Sequence, residues 1–89
     1  MKLIGSYLIT EVDGEQFAVP VGAAAEKVHG LIRLNDTGRD ILQGLMDGKS
    51  EEEIAAGLNE TYADVDMERA RSAVRSFVDS LQEKGLTEE

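Results

Sequence analysis

Asp79-Ser80-Leu81 is the first tripeptide in this chain that could carry chemistry. A serine in a D-S-L triplet can hold a phosphopantetheine arm when it starts a helix, exposed and close to the positive end of the helix dipole. Ser80 instead falls inside a helical pattern, one residue before the apolar position Leu81 and with no capping residue ahead of it, so a short motif alone does not support that modification. DVDMERARS (64–72) opens like a calcium loop, but it lacks the loop glycine and the closing glutamate. An apolar helical pattern runs straight through it, which makes it a helix start.

The remaining reactive residue types are sparse. His29 is the only histidine and there is no cysteine, so no His–His or Cys–His pair, disulfide or thiolate metal site can form. A lone histidine before a glycine at the start of a strand reads as a surface or turn residue. Glu51, Glu52, Glu68 and Glu83 sit on the exteriors of expected helices, where a carboxylate is a solvated charge rather than a tuned acid or base. No glycine loop suited to phosphate is present. The expectation is a protein that is not an enzyme and has neither cofactor nor metal.

Arg71 and Arg75 invite a different chemistry. At about 100° per residue, the apolar stripe of the last expected helix centres between Ala70, Val74 and Leu81, and Val78, Arg71 and Arg75 follow on one shoulder. Two readings are open. The arginines could be solvated and paired with Glu68 or Asp79 at helical spacing, or they could form a cationic rim that suits an acidic peptide.

The elements that must position these residues come in two runs. Tyr7–Val12 and Gln16–Val21 are rich in β-formers and flank Asp13-Gly14, the strongest local hairpin signal. Pro20 cannot donate to a ladder, so it belongs near the end of its strand or facing outward. Residues 22–28 (GAAAEKV) fit a loop or a helical turn and are treated as a connection. A third strand is expected over Gly30–Leu34. The period then changes from two to about 3.6. Ile41, Leu42, Leu45 and Met46 form one apolar face, started by Asn35–Thr37 and ended by Asp47-Gly48. Ser50 and Glu53 form a capping box that opens a short helix bearing Ile54, Ala55 and Leu58. The last helix starts near Asp66, carries Ala70, Val74, Phe77, Val78 and Leu81, and ends at Lys84-Gly85. The order β-β-β-α-α-α is an α+β class, with a three-stranded antiparallel sheet followed by three helices.

Composition sets the outer bounds. Residues 1–89 suffice for one domain with a single core, and with 42% apolar residues but only two Phe and two Tyr that core is aliphatic. No apolar run approaches the roughly 20 residues that span a bilayer, and the first glutamate arrives too early for a signal peptide. The expected location is cytoplasmic. A net charge of −9 starts badly for nucleic acid and for anionic membrane surfaces, both of which demand lysine and arginine.

Residues 30–86 (GLIRLNDTGRDILQGLMDGKSEEEIAAGLNETY…VDMERARSAVRSFVDSLQEKGL) resemble the PqqD family. The pattern is a strand ending in L-N-x-T-G, an apolar helix ending in D-G-K, a serine-started E-E-I-A helix, and a last helix ending in L-x-x-K-G-L. The hairpin with VPVG (19–22) resembles the upstream part of short, freestanding members. The resemblance implies a winged-helix-like domain that recognises precursor peptides of ribosomally made, modified natural products. It implies no catalysis, and delivery of the precursor to a modifying enzyme, often a radical SAM enzyme. In such domains the leader peptide adds as a strand beside the third strand, in a cleft with the third helix. Carried onto this chain, that strand is Leu31, Ile32, Arg33 and Leu34. On the last helix the candidates are Arg71, Val74, Arg75 and Val78, placed there by the helical wheel.

A bare strand edge is an aggregation hazard unless it is blocked or used, and Leu31–Leu34 carries one charge and no proline. Replacing Ile32 with proline would test the docking strand if that amide points outward. Two rivals stand beside this reading: a winged-helix regulator binding DNA through Arg69, Arg71 and Arg75, and a scaffold subunit of a partner enzyme. The free edge leaves both a monomer and a dimer open.

Overall fold

A computed structural model describes residues 2–28 and 30–88; His29 lies outside the described residues. The elements in order are β1 (Lys2–Leu3), β2 (Ser6–Val12), β3 (Glu15–Val21), α1 (Ala23–Lys27), β4 (Ile32–Leu34), α2 (Asp36–Met46), α3 (Glu51–Thr61), α4 (Met67–Glu83) and β5 (Thr87–Glu88). The class is α+β, with an antiparallel sheet in the order β2-β3-β4 and four helices. Beyond the expected six elements there are three more. Residues 23–27 of the presumed connection coil into α1, which buries Ala24. β1 and β5 pair as a separate two-stranded ribbon, Lys2 opposite Glu88 and Leu3 opposite Thr87.

The hairpin forms because Asp13 (φ 51°) and Gly14 (φ 79°) both take the left-handed backbone that a type I′ turn requires. Such a two-residue turn closes on a hydrogen-bonded pair, here Val12 and Glu15. Alternation along the ladder then fixes which main-chain groups point where. Residues 8, 10 and 12 bond to β3, while the amides and carbonyls of Ile9 and Glu11 point away from it. On β3, Gln16 and Ala18 turn toward β4 and meet Leu34 and Ile32. Pro20 lies beyond the last of these pairs, so its missing N–H removes no ladder bond.

Each long helix starts on a side-chain cap. The Asn35 side chain accepts from the Gly38 amide (2.7 Å) and Asp66 accepts from the Arg69 amide (2.8 Å). Ser50 and Glu53 form the reciprocal box, at 3.1 and 2.9 Å. The Ser50 backbone N–H, which donates to the carboxylate, and next the Ser50 side chain favour its charged form and hold the Glu53 carboxyl below its ordinary range. At the far end of α4 the Leu86 amide reaches back to the Leu81 carbonyl (2.9 Å), a Schellman closure that turns Leu86 into the interior.

The core has two parts. Tyr7, Ala18, Ala24, Leu34, Leu42, Leu81 and Leu86 pack between the sheet and the helices. Ile41, Ile54, Ala55, Leu58, Ala70, Val74 and Val78 pack among α2, α3 and α4. Leu45 and Phe77 touch both parts, which join into one interior. No described helix is long and apolar enough to cross a membrane.

Candidate functional site

β4 is an edge strand. Among the described residues it pairs with β3 alone, through the registers Gln16–Leu34, Phe17–Arg33 and Ala18–Ile32. Because Phe17 spends its main-chain bonds on β2, Arg33 opposite it has no bond to β3, and its N–H and C=O project from the open side. Ile32 is the reverse case: its amide belongs to the ladder with β3. The proline test at Ile32 therefore cuts the sheet itself, and the informative position is Arg33.

Side chains alternate about the same strand. Ile32 (half-buried) and Leu34 (buried) point inward, whereas Arg33 stands on the outer face and pairs with Glu15. Leu31, just ahead of the strand, is 57% exposed. At the other end Gln16 Nε2 donates to Asp36 Oδ1 (2.6 Å), and an open cleft there is lined by Glu15, Gln16, Arg33, Leu34, Asn35 and Asp36. The Asn35 carbonyl accepts from the Arg39 amide (2.9 Å), so the helix start consumes main-chain bonding just past the strand.

The four helix candidates lie elsewhere on α4. Val74 and Val78 are in the interior among α2, α3 and α4, with almost no exposed surface. Arg71 forks onto Glu52, with Nη2 donating at 2.7 Å and Nε at 3.1 Å. Arg75 donates to Glu51 (3.2 Å) and Asp79 (3.1 Å). The hydrogen bond from Arg71 holds the Glu52 carboxyl below the usual carboxylate range, and the same bond raises the guanidinium. Between these pairs runs a cleft of about 350 Å³ lined by Glu51, Glu52, Arg71, Ser72, Val74 and Arg75. The arginine shoulder thus faces the first turn of α3. The structure does not bring it to β4.

Phe77 of α4 packs against the core cluster that contains Leu34 of β4 and Leu81, and it shares the Gly38 neighbourhood with Leu34. Its Cε1 lies 3.4 Å, and Leu34 Cδ2 3.8 Å, from where a side-chain carbon on Gly38 would stand. Phe77 is half-buried, and half-buried Ala73 precedes it by one turn on the same flank. Sequence reasoning treated Phe77 as core. The signal was its offset from the stripe centre, on the side opposite Arg71. That offset cannot say which neighbour each flank meets.

A separate cleft lies between α2 and α3, where Tyr62 Oη donates to Asp40 Oδ2 (2.6 Å) and Asp40 also pairs with Arg39. The bond to Asp40 pushes the Tyr62 hydroxyl up, against ionisation. This is a closed set of partners that pins the end of α3 to α2. No group of three or more His, Cys, Asp and Glu suited to a metal occurs among the described residues.

Comparison with known proteins follows this geometry. The family profile described as "Coenzyme PQQ synthesis protein D (PqqD)" matches residues 25–86. Among solved structures, the fold is similar to TbiB1 in complex with the TbiA(beta) leader peptide, with a TM-score of 0.70 and 24% identity over 97% of this chain and 93% of that one. It is also similar to lasso peptide synthetase B1 complexed with the leader peptide, with a TM-score of 0.72 and 25% identity over 99% and 96%. The search of curated protein sequences finds no match.

Proposed function

Because the chain belongs to the PqqD family, we propose that it is a non-catalytic module that captures the leader of a ribosomally made precursor peptide and presents it to a modifying enzyme. The observation that carries this reading is the open side of β4, in a fold shared at near-full length with a synthetase B1 protein that was solved with its leader peptide. We read residues 1–89 as one winged-helix-like domain, with the β2–β3 hairpin as the wing and α2–α4 as the helical part. A cytoplasmic place accords with a substrate made on ribosomes.

The leader adds antiparallel or parallel to β4, bonding to the outward groups of Leu31 and Arg33. Its alternate side chains then point inward beside Ile32 and Leu34, toward the Phe77 flank of α4. Magnitudes show why both parts are needed. Four main-chain bonds net about 0.5–1.5 kcal/mol each, and ordering a flexible leader costs about 2–5 kcal/mol. These nearly cancel. Micromolar binding requires about −8 kcal/mol, so two or three apolar leader side chains, each contributing about 1.5–3 kcal/mol on burial, supply most of it. Val74, Val78, Arg71 and Arg75 serve the peptide indirectly: they fix α4 against α2 and α3 and so set the width of the slot.

DNA binding is disfavoured because two of the three arginines that would form a basic strip, Arg71 and Arg75, are neutralised by Glu51, Glu52 and Asp79. The decisive experiment is a titration of this protein with the leader of a precursor peptide encoded beside it, at two salt concentrations. We expect binding that changes little with salt. Arg33→Pro, which removes the outward N–H, should weaken binding at least tenfold, whereas Arg33→Ala, which keeps it, should stay within about threefold. Wild-type affinity in a folded Arg33→Pro variant, or steeply salt-dependent binding to DNA in place of peptide, would overturn the proposal.

A further inference from the structure

The sheet has a second open edge, and it is longer than the first. Among the described residues β2 pairs with β3 alone, so the N–H and C=O groups of Ile9 and Glu11 point away from the ladder. Lysine, proline, a bulge or a covering element normally keeps such an edge from pairing. SYLITEV contains neither lysine nor proline, its seven residues pair with β3 without a bulge, and Glu11 is its one charge. The outer face of the same strand shows Leu8 and Val12 at 62% and 51% exposed.

We infer that the β2 edge pairs with β2 of a second copy of this chain, antiparallel, about a twofold axis through Thr10. In that register Ile9 of each copy faces Glu11 of the other, and the four outward main-chain pairs of groups satisfy one another. Leu8 faces Val12 of the second copy in the non-hydrogen-bonded positions, where side chains approach most closely. The two exposed apolar residues on each strand thereby cover each other, and Thr10 meets its own copy on the axis.

The occupant is a second copy because a single stretch supplies both halves of the match in mirrored order, which is the requirement of an isologous interface. Charge points the same way. The chain carries −9 overall, yet the strand edge carries only Glu11, so this is a place where two such chains can meet with little repulsion. The two Glu11 residues fall on a diagonal, about 7–8 Å apart, and added salt should therefore tighten the pair. The product is a six-stranded sheet in the order β4-β3-β2-β2-β3-β4, which leaves a free β4 edge at each end. The inference does not depend on what β4 binds.

Sedimentation of the full chain over a wide concentration range, with amide hydrogen exchange on the same samples, tests it. The expected result is a mass rising from 9.7 kDa toward about double, with the Ile9 and Glu11 amides gaining protection as concentration rises. Glu11→Pro removes an outward N–H without touching the β2–β3 ladder and should weaken self-association at least tenfold. Leu8→Lys, on an exposed outer-face position, should do the same and serves if the proline variant does not fold. A mass that stays at 9.7 kDa throughout, association unchanged in both variants, or protection of those amides only when a modifying enzyme is added would each overturn the inference. Leader binding measured on the same variants should be unchanged.

Discussion

The two flanks of α4 suggest one division of roles in the sequence and take another in the fold. One carries Arg71 and Arg75, the residues that most resemble a binding site, and the first turn of α3 holds both through Glu51 and Glu52. The other carries Ala73 and Phe77, which look like interior, and Phe77 stands beside Leu34 of the open strand. Charge spacing on a helix therefore advertises a role that the neighbouring helix has already taken. The quieter, half-buried aromatic flank is the one that the proposed binding mode uses.

Removing the aromatic side of this contrast should have the largest effect. Phe77→Ala deletes a ring that touches both parts of the core and is expected to cost about 2–4 kcal/mol by denaturant titration, a little less than a fully buried phenylalanine. Leader affinity should fall at least tenfold at a temperature where the variant remains folded. Unchanged affinity would move the peptide off this flank.

Next in size is Gly38→Ala. The added carbon would stand 2.9 Å from the Asn35 cap oxygen and 3.4 Å from the Phe77 ring. Overpacking costs about 1–3 kcal/mol, against a gain of up to about 1 kcal/mol in helix propensity. A net loss of about 1 kcal/mol with a lower melting temperature is expected. A more stable variant would show that the Asn35 cap and Phe77 yield easily and that the slot beside β4 is loosely built.

The arginine flank should respond least. A double-mutant cycle on Arg71 and Glu52 is expected to give a coupling that is small at low salt and vanishes at high salt, because both side chains are mostly in water and the pair is screened. Arg71→Ala should leave leader affinity within about twofold; a large loss would return the arginines to direct contact with the peptide. The pH dependence has a definite sign. The Glu52 carboxyl is depressed in the folded chain by its bond from Arg71, so its contribution is present above the ordinary glutamate range, near 4.3. It is lost as pH falls through the depressed value. Acid unfolding followed at two pH values on either side of that window, in wild type and Glu52→Gln, should converge at the lower pH.

Much of the architecture was legible because its signals are local. Asp13-Gly14 dictates the turn, Asn35, Ser50 and Asp66 mark three helix starts, and the apolar spacing of Ala70, Val74, Val78 and Leu81 names the buried stripe of α4. β1 and β5 were missed because two-residue strands have no period to detect, and α1 because five residues near a glycine fit a loop as well as a helix. The candidate strand was legible as a segment. Which of its amides faces outward was not, since that parity follows from the closing pair of the adjoining hairpin and from the register of β4 on β3. The flanks of α4 were illegible for a related reason: a helical wheel gives angles about one axis and says nothing of what stands at each angle.

The β1–β5 ribbon holds the two extremities of the described chain side by side, with Lys2 across from Glu88 and the Ile4 amide bonded to the Leu86 carbonyl. Tension applied between those extremities would peel this clasp open one bond at a time, as a zip, before any load reached the three-stranded sheet. Cargo tethered at either extremity would likewise depart from a single corner of the protein, the corner where Leu86 anchors the clasp to the interior.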